Sequence, residues 1–184
     1  MRNALVLFTA VLLAAMVPAP ASSATKYKPC TLLTTADLEG ALKAKVSRGQ
    51  QEGGDVDNDP GPLQGETIDW CSWVLGSSGG AIGVVLRVTR AVASVPQMAE
   101  AWYGPLVETA KQGGGTVESA KVAGAECRIF GNHAKQVGPV GNSTNCLTAG
   151  KGRALTIEIN AAAPTPVPPA VAQGLLGKAI ARLL

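Results

Sequence analysis

A chain of 184 residues with 16 Lys and Arg against 13 Asp and Glu carries a formal charge of +3. That is too small for nucleic-acid binding driven by counterion release. The single histidine, His133, excludes a site with two His ligands from one chain, and an apolar fraction of 46% is enough to build a core rather than a disordered chain.

The first segment reads as an address. Arg2 precedes an apolar run from Ala4 to Val17, 14 residues interrupted only by Thr9. Ala19-Pro20-Ala21 and Ser22-Ser23-Ala24 then offer small residues at cleavage-site spacing. This pattern predicts a secretory signal peptide over residues 1–24, and the run is too short to span a bilayer. The rest, 25–184, has the size of a single secreted domain. No later stretch is long and apolar enough to cross a membrane, so no transmembrane segment is expected after cleavage. Lys28-Pro29 ahead of Cys30 are not the small and aliphatic residues of a lipid-attachment signal. The expected location is therefore secreted, periplasmic or in the cell envelope.

The elements follow in order. Thr34 and Asp37 form a capping box, and Leu38, Ala41, Leu42 and Val46 recur at helical spacing. A polar loop is expected from Ser47 to Glu66. Trp70 to Leu75 reads as a strand, Gly76 to Gly80 as a hairpin connection, and Val84 to Thr89 as the return strand. In that strand Val84, Leu86 and Val88 face one way and Val85, Arg87 and Thr89 the other. Ser94-Val95-Pro96-Gln97 caps a second helix with Met98, Trp102 and Leu106 as its stripe, and Gly104-Pro105 is expected to kink or split it. Strands are then expected near Val117–Val122, Glu126–Phe130, Ala134–Val137, Thr144–Thr148 and Ala154–Ile159. In the last of these Leu155, Ile157 and Ile159 face the core, while Thr156 and Glu158 face out. Pro164 to Pro169 is a stiff spacer before an amphipathic helix carrying Val171, Leu175, Leu176, Ala179 and Leu183. Hairpins dominate this order. The expected fold is α+β: a mostly antiparallel sheet with helices packed on one face, stapled by two disulfides.

Those disulfides come from Cys30, Cys71, Cys127 and Cys146, an even count in an exported chain. Three connectivities are possible, and sequence order favours Cys30–Cys71 with Cys127–Cys146. No pair has the CxxC spacing of a metal or redox site. Cys30-Thr31-Leu32-Leu33-Thr34 before a helix, and Cys71-Ser72-Trp73 opening a hairpin, resemble the secreted envelope lipoproteins of unknown function common in actinobacteria. The resemblance covers most of the mature length, includes a further cysteine pair downstream, and departs from the family in lacking its lipid-attachment cysteine. It implies a small α+β extracytoplasmic domain and carries over no catalytic residue.

Few constellations point to chemistry. Asp55, Asp57, Asp59 and Glu66 stand at places 1, 3, 5 and 12 of a calcium loop. Pro60 occupies the sixth place, where the loop needs a positive φ that proline cannot adopt. Between Gly49 and Leu86 there are six acids and no bases, so a solvated acidic loop explains the same residues. His133 in Gly131-Asn132-His133 reads as a turn residue, and neither Ser119 nor Ser143 sits in a nucleophile elbow. Asp69, Glu126 and Glu158 could supply a carboxylate pair, but nothing in the sequence groups them. Trp70 and Trp73, three apart in a strand, point to opposite faces, with Trp73 beside Cys71 in the core.

These observations lead to a secreted, non-enzymatic binding or interaction domain of the cell envelope or extracellular space, with a small secreted hydrolase as the alternative. No cofactor, metal or nucleic acid is expected. The partner would be an envelope or extracellular ligand or protein, and the expected binding face carries Trp70, Val85, Arg87, Thr89, Thr156 and Glu158.

Overall fold

A computed structural model describes residues 27–55, 65–76, 83–131, 142–160 and 166–183. The chain forms α1 (Pro29–Leu32), α2 (Thr35–Leu42), β1 (Gln50–Asp55), β2 (Thr67–Val74), β3 (Gly83–Arg90), α3 (Val95–Gln112), β4 (Thr116–Val122), β5 (Ala125–Gly131), β6 (Ser143–Gly150), β7 (Arg153–Asn160) and α4 (Pro169–Ala181). The strands make one seven-stranded sheet in the order β1-β2-β3-β7-β6-β5-β4, antiparallel at every pairing. Two meanders, β1-β2-β3 and β4-β5-β6-β7, meet where β3 pairs with β7. The chain thus has the expected α+β antiparallel architecture. Among the described residues, no helix is long and apolar enough to cross a membrane.

Side-chain alternation divides the sheet into two faces. One carries Cys71, Trp73, Val84, Leu86, Val88, Cys127, Cys146, Leu155, Ile157 and Ile159, all buried. Against it pack Leu32, Leu33 and Leu38 of the N-terminal segment and Ala172, Leu175, Leu176 and Ala179 of α4. The expectation of helices on one face holds for α1, α2 and α4. It does not hold for α3, which crosses the opposite face: Met98, Ala99 and Tyr103 cluster with Leu147 and Ala154, and Ala110 packs with Phe130. The reason lies in the connection. α3 must lead the chain from β3 to the far edge strand β4, and on that side the sheet offers Phe130, Leu147 and Ala154 as an apolar track.

Both disulfides have the expected pairing. Cys30–Cys71 ties α1 to β2, and Cys127–Cys146 joins directly opposed residues of β5 and β6. Trp73 lies beside the first bridge at 3% exposure. Gly49 presses against both: a Cβ there would fall 2.5 Å from the Trp73 indole nitrogen and 2.6 Å from Cys71 Sγ. Only a residue without a side chain fits this approach.

The capping box of α2 is formed as expected, with Asp37 Oδ2 accepting from the Thr34 amide at 3.0 Å and the Asp37 amide donating to Thr34 Oγ1 at 3.1 Å. The helix stops at Leu42 because Lys43 turns left-handed at φ 55°. Val46 therefore leaves the expected helical stripe and bridges Leu75 instead. The expected loop from Ser47 to Glu66 holds a strand, β1, whose Gln50-Gln51-Glu52-Gly53-Gly54 shows no apolar alternation because it lies at the sheet edge. α3 continues unbroken through Pro105, so the expected split does not occur. The strand expected at Ala134–Val137 lies outside the described residues.

Asp37 also fastens α2 to α4. Arg182 donates to it at 2.5 Å and Lys178 at 3.2 Å, while Arg182 also donates to the Leu32 carbonyl at 2.9 Å. The Arg182 guanidinium holds the Asp37 carboxyl well below the usual carboxylate range. A depressed folded-state value gives stability that is present above the unfolded value, about 3.9, and is lost as pH falls towards the folded one. Asp37→Asn should therefore cost about 2 kcal/mol near neutrality, through a weakened cap and lost charged hydrogen bonds. The gap to the parent protein should narrow below about pH 4. Urea melts across pH check this, and a gap that stays constant into strong acid would refute it.

Candidate functional site

Where α3 crosses the sheet, its two ends are held by apolar contacts and its middle spans a polar stretch of strand. Met98, Ala99 and Tyr103 seat the first half on Leu147 and Ala154, and Ala110 seats the last turns on Phe130. Between them opens a cleft of about 340 Å³, walled by Trp102, Pro105 and Leu106 of α3 and floored by Arg87, Ser143, Asn145 and Glu158. The register explains the floor. Arg87 opposes Thr156 across β3 and β7, Glu158 opposes Asn145 across β7 and β6, and Asn160 opposes Ser143. Directly opposed residues share a face, so four neighbouring strand positions deliver polar groups to one spot.

The charges of the floor are matched. Arg87 Nη1 donates to Glu158 Oε2 at 3.0 Å, and Asn160 Nδ2 donates to Glu158 Oε1 at 2.9 Å. Asn145 Nδ2 donates to Ser143 Oγ at 2.9 Å. Further along this face Arg128 lies 3.8 Å from both Glu126 and Glu100, and Lys121 pairs with Glu126 at 2.8 Å. Two hydroxyls stand out against this balance. Tyr103 Oη and Thr156 Oγ1 are buried and have no hydrogen-bond partner. Burial pushes the Tyr103 hydroxyl far above the ordinary phenol range, and its electrostatic neighbours are Arg87, Glu158 and Arg128 of the same face. An unmet buried hydroxyl costs about 1–3 kcal/mol.

The expected binding residues share this face of the sheet. Trp70 opposes Arg87, and Val85 opposes Glu158. Arg87 and Glu158 line the cleft, while Trp70 and Val85 lie half-buried next to it on β2 and β3. Two of the six expected binding residues are buried rather than open to a ligand. Thr89 is 2% exposed and donates to the Thr67 carbonyl at 3.0 Å, and Thr156 is 3% exposed. α3 packs on this face, and Thr156 lies between Ala154, beneath the helix, and Glu158 of the cleft.

Other candidates are dispersed. Asp69 is on the opposite face, where its Oδ2 accepts from the Tyr27 amide at 2.5 Å, so it cannot join Glu126 and Glu158 in a carboxylate pair. Glu126 and Glu158 have separate cationic partners. Ser119 is exposed on the edge strand β4, and Ser143 lies in the cleft beside Asn145. His133 and residues 56–64 of the acidic loop lie outside the described residues; at its end Glu66 Oε1 accepts from Arg90 Nε at 3.0 Å. Among the described residues, no three His, Cys, Asp or Glu side chains gather as metal ligands would.

Trp102, Pro105, Leu106, Asn145 and Asn160 belong to the site and were not anticipated, and Ser143 was weighed only as a nucleophile. A signal existed for the strand residues. Ser143, Asn145 and Leu147 alternate with Thr144 and Cys146, so a polar pair shares the face of an apolar residue once Cys146 is assigned to the core. Comparison with protein-family models, curated proteins and solved structures finds no match to this chain.

Proposed function

We propose that this chain is an exported, non-enzymatic binding domain of the cell envelope or extracellular space, and that it takes its ligand in the cleft beneath α3. The observation that carries this reading is a concave site with an apolar wall and a polar floor. Its volume, about 340 Å³, falls in the range of about 300–1,000 Å³ usual for small-molecule sites. Export is supported by the signal-like segment 1–24 and by two disulfides, which persist in oxidising compartments. An envelope domain of the kind that the Cys30–Thr34 and Cys71–Trp73 segments resemble fits the same reading. The non-enzymatic choice rests on the partners of the reactive groups. Ser143 is hydrogen-bonded to an amide, which cannot serve as a general base, and both oxygens of Glu158 already accept from Arg87 and Asn160.

The test is a chemically mixed fragment library titrated against the 15N-labelled protein. Binding fragments should move the Trp102 indole and Asn145 side-chain amide resonances together and saturably. Trp70→Ala, beside the cleft, should weaken only the larger fragments. Fragments that leave both resonances in place, whatever else they perturb, would remove the cleft as the binding site. Turnover of an ester or glycoside that is lost in Ser143→Ala would instead establish the hydrolase.

A further inference from the structure

The chemistry of the cleft narrows the class of ligand, on the reading that the cleft is a binding site. We propose that it binds a neutral, polyhydroxylated ring: a short uncharged glycan laid against Trp102, with its hydroxyls on Arg87, Asn145, Ser143 and Glu158. Three observations converge on this. The first is charge. Arg87 and Glu158, the two ions of the floor, are paired at 3.0 Å with side chains about a quarter exposed, so neither is spare for an ionic ligand. An anion would have to compete with Glu158 for Arg87, and a cation with Arg87 for Glu158, and each exchange would strand a partly desolvated charge.

The second is the mixture of donors and acceptors. Arg87 and the Asn145 amide donate, Glu158 accepts, and Ser143 does either. A sugar hydroxyl is also donor and acceptor at once, so adjacent hydroxyls can bridge such a row. The third is the wall. Trp102, Pro105 and Leu106 offer a flat aromatic ring and two apolar neighbours facing that row. A pyranose has a matching division, with C–H groups on its ring faces and hydroxyls around its rim. Trp70, opposite Arg87 in register and half-buried, places a second indole on the same side of the sheet, where a further sugar unit could rest.

The experiment titrates soluble maltotriose, cellotriose, chitotriose and mannotriose, with trigalacturonate as an acidic comparator, into the 15N-labelled protein. At least one neutral trisaccharide should shift the Trp102 indole and Asn145 amide resonances saturably, and trigalacturonate should not. Trp102→Ala should weaken that sugar several-fold, up to about tenfold, the scale of one lost aromatic contact. Glu158→Gln keeps the size of the side chain and leaves Arg87 without its counter-charge, so this variant should gain binding of trigalacturonate. That gain does not depend on Trp102→Ala folding, and a purely structural ion pair would not produce it. The inference is overturned if no neutral trisaccharide moves these resonances at millimolar concentration, if trigalacturonate binds the parent protein as well as the neutral sugars do, or if Glu158→Gln leaves the preference unchanged. Fragments that bind the cleft while all neutral sugars fail would remove the glycan and keep the binding site. Failure of both would remove both.

Discussion

Trp73→Ala should lower the free energy of unfolding by about 3–5 kcal/mol, the range of large aromatic truncations in a core. Trp73 is directly opposite Val84 in β3, while Cys71 opposes Leu86, so the indole fills the layer between sheet and N-terminal helices. Its removal would leave a hole lined by a disulfide, a strand and the backbone at Gly49. A disulfide and a paired strand cannot collapse into that space, which places the cost towards the upper end of the range. A guanidinium melt checks the value. A midpoint unchanged from the parent would show that the indole contributes no packing energy, against its burial.

The second large effect is expected from the disulfides, and it should be unequal. Replacing Cys30 and Cys71 together by Ala opens a closure of 41 residues; replacing Cys127 and Cys146 opens one of 19. The loop-entropy relation puts the losses at about 4 and 3 kcal/mol. The structure widens this difference. Cys127 and Cys146 remain neighbours through the β5–β6 ladder when the bond is gone, whereas α1 is a four-residue helix that has no ladder to β2 and is otherwise held by the packing of Leu32 and Leu33 and by Arg182 on the Leu32 carbonyl. Removing the first bridge should therefore also loosen Leu32 and Leu33, visible as faster amide exchange there. Equal losses, or a larger loss from the second pair, would contradict this ordering.

Much of the architecture could be read from residues whose pattern has one cause. The alternation of Val84 to Thr89 and of Ala154 to Ile159 follows from one buried face, and both strands lie where expected. Thr34 with Asp37 marks a helix start because the box satisfies backbone groups locally. β1 was illegible because an edge strand holds on by backbone bonds to one neighbour and needs no apolar side chains. The placement of α3 was illegible for a different reason. Its stripe shows that it packs on something, but which face of the sheet receives it depends on where β4 pairs, a long-range fact. The site shares that limit. Arg87 and Glu158 could be put on a common face from period-two alternation alone, but the cleft exists only because Trp102 is brought over them from a helix.

The fastening of α4 to the start of the domain has a temporal consequence. Arg182 reaches the Leu32 carbonyl across 150 positions of sequence, and Leu175, Leu176 and Ala179 complete the layer that Leu32, Leu33 and Leu38 begin. A ribosome delivers the N-terminal half of that layer first and α4 last. Until α4 emerges, the sheet has one side half-roofed, and β3 waits for β7 as its central neighbour. While α4 is still unmade, Leu32, Leu33 and Leu38 therefore lack the residues that cover them in the finished domain.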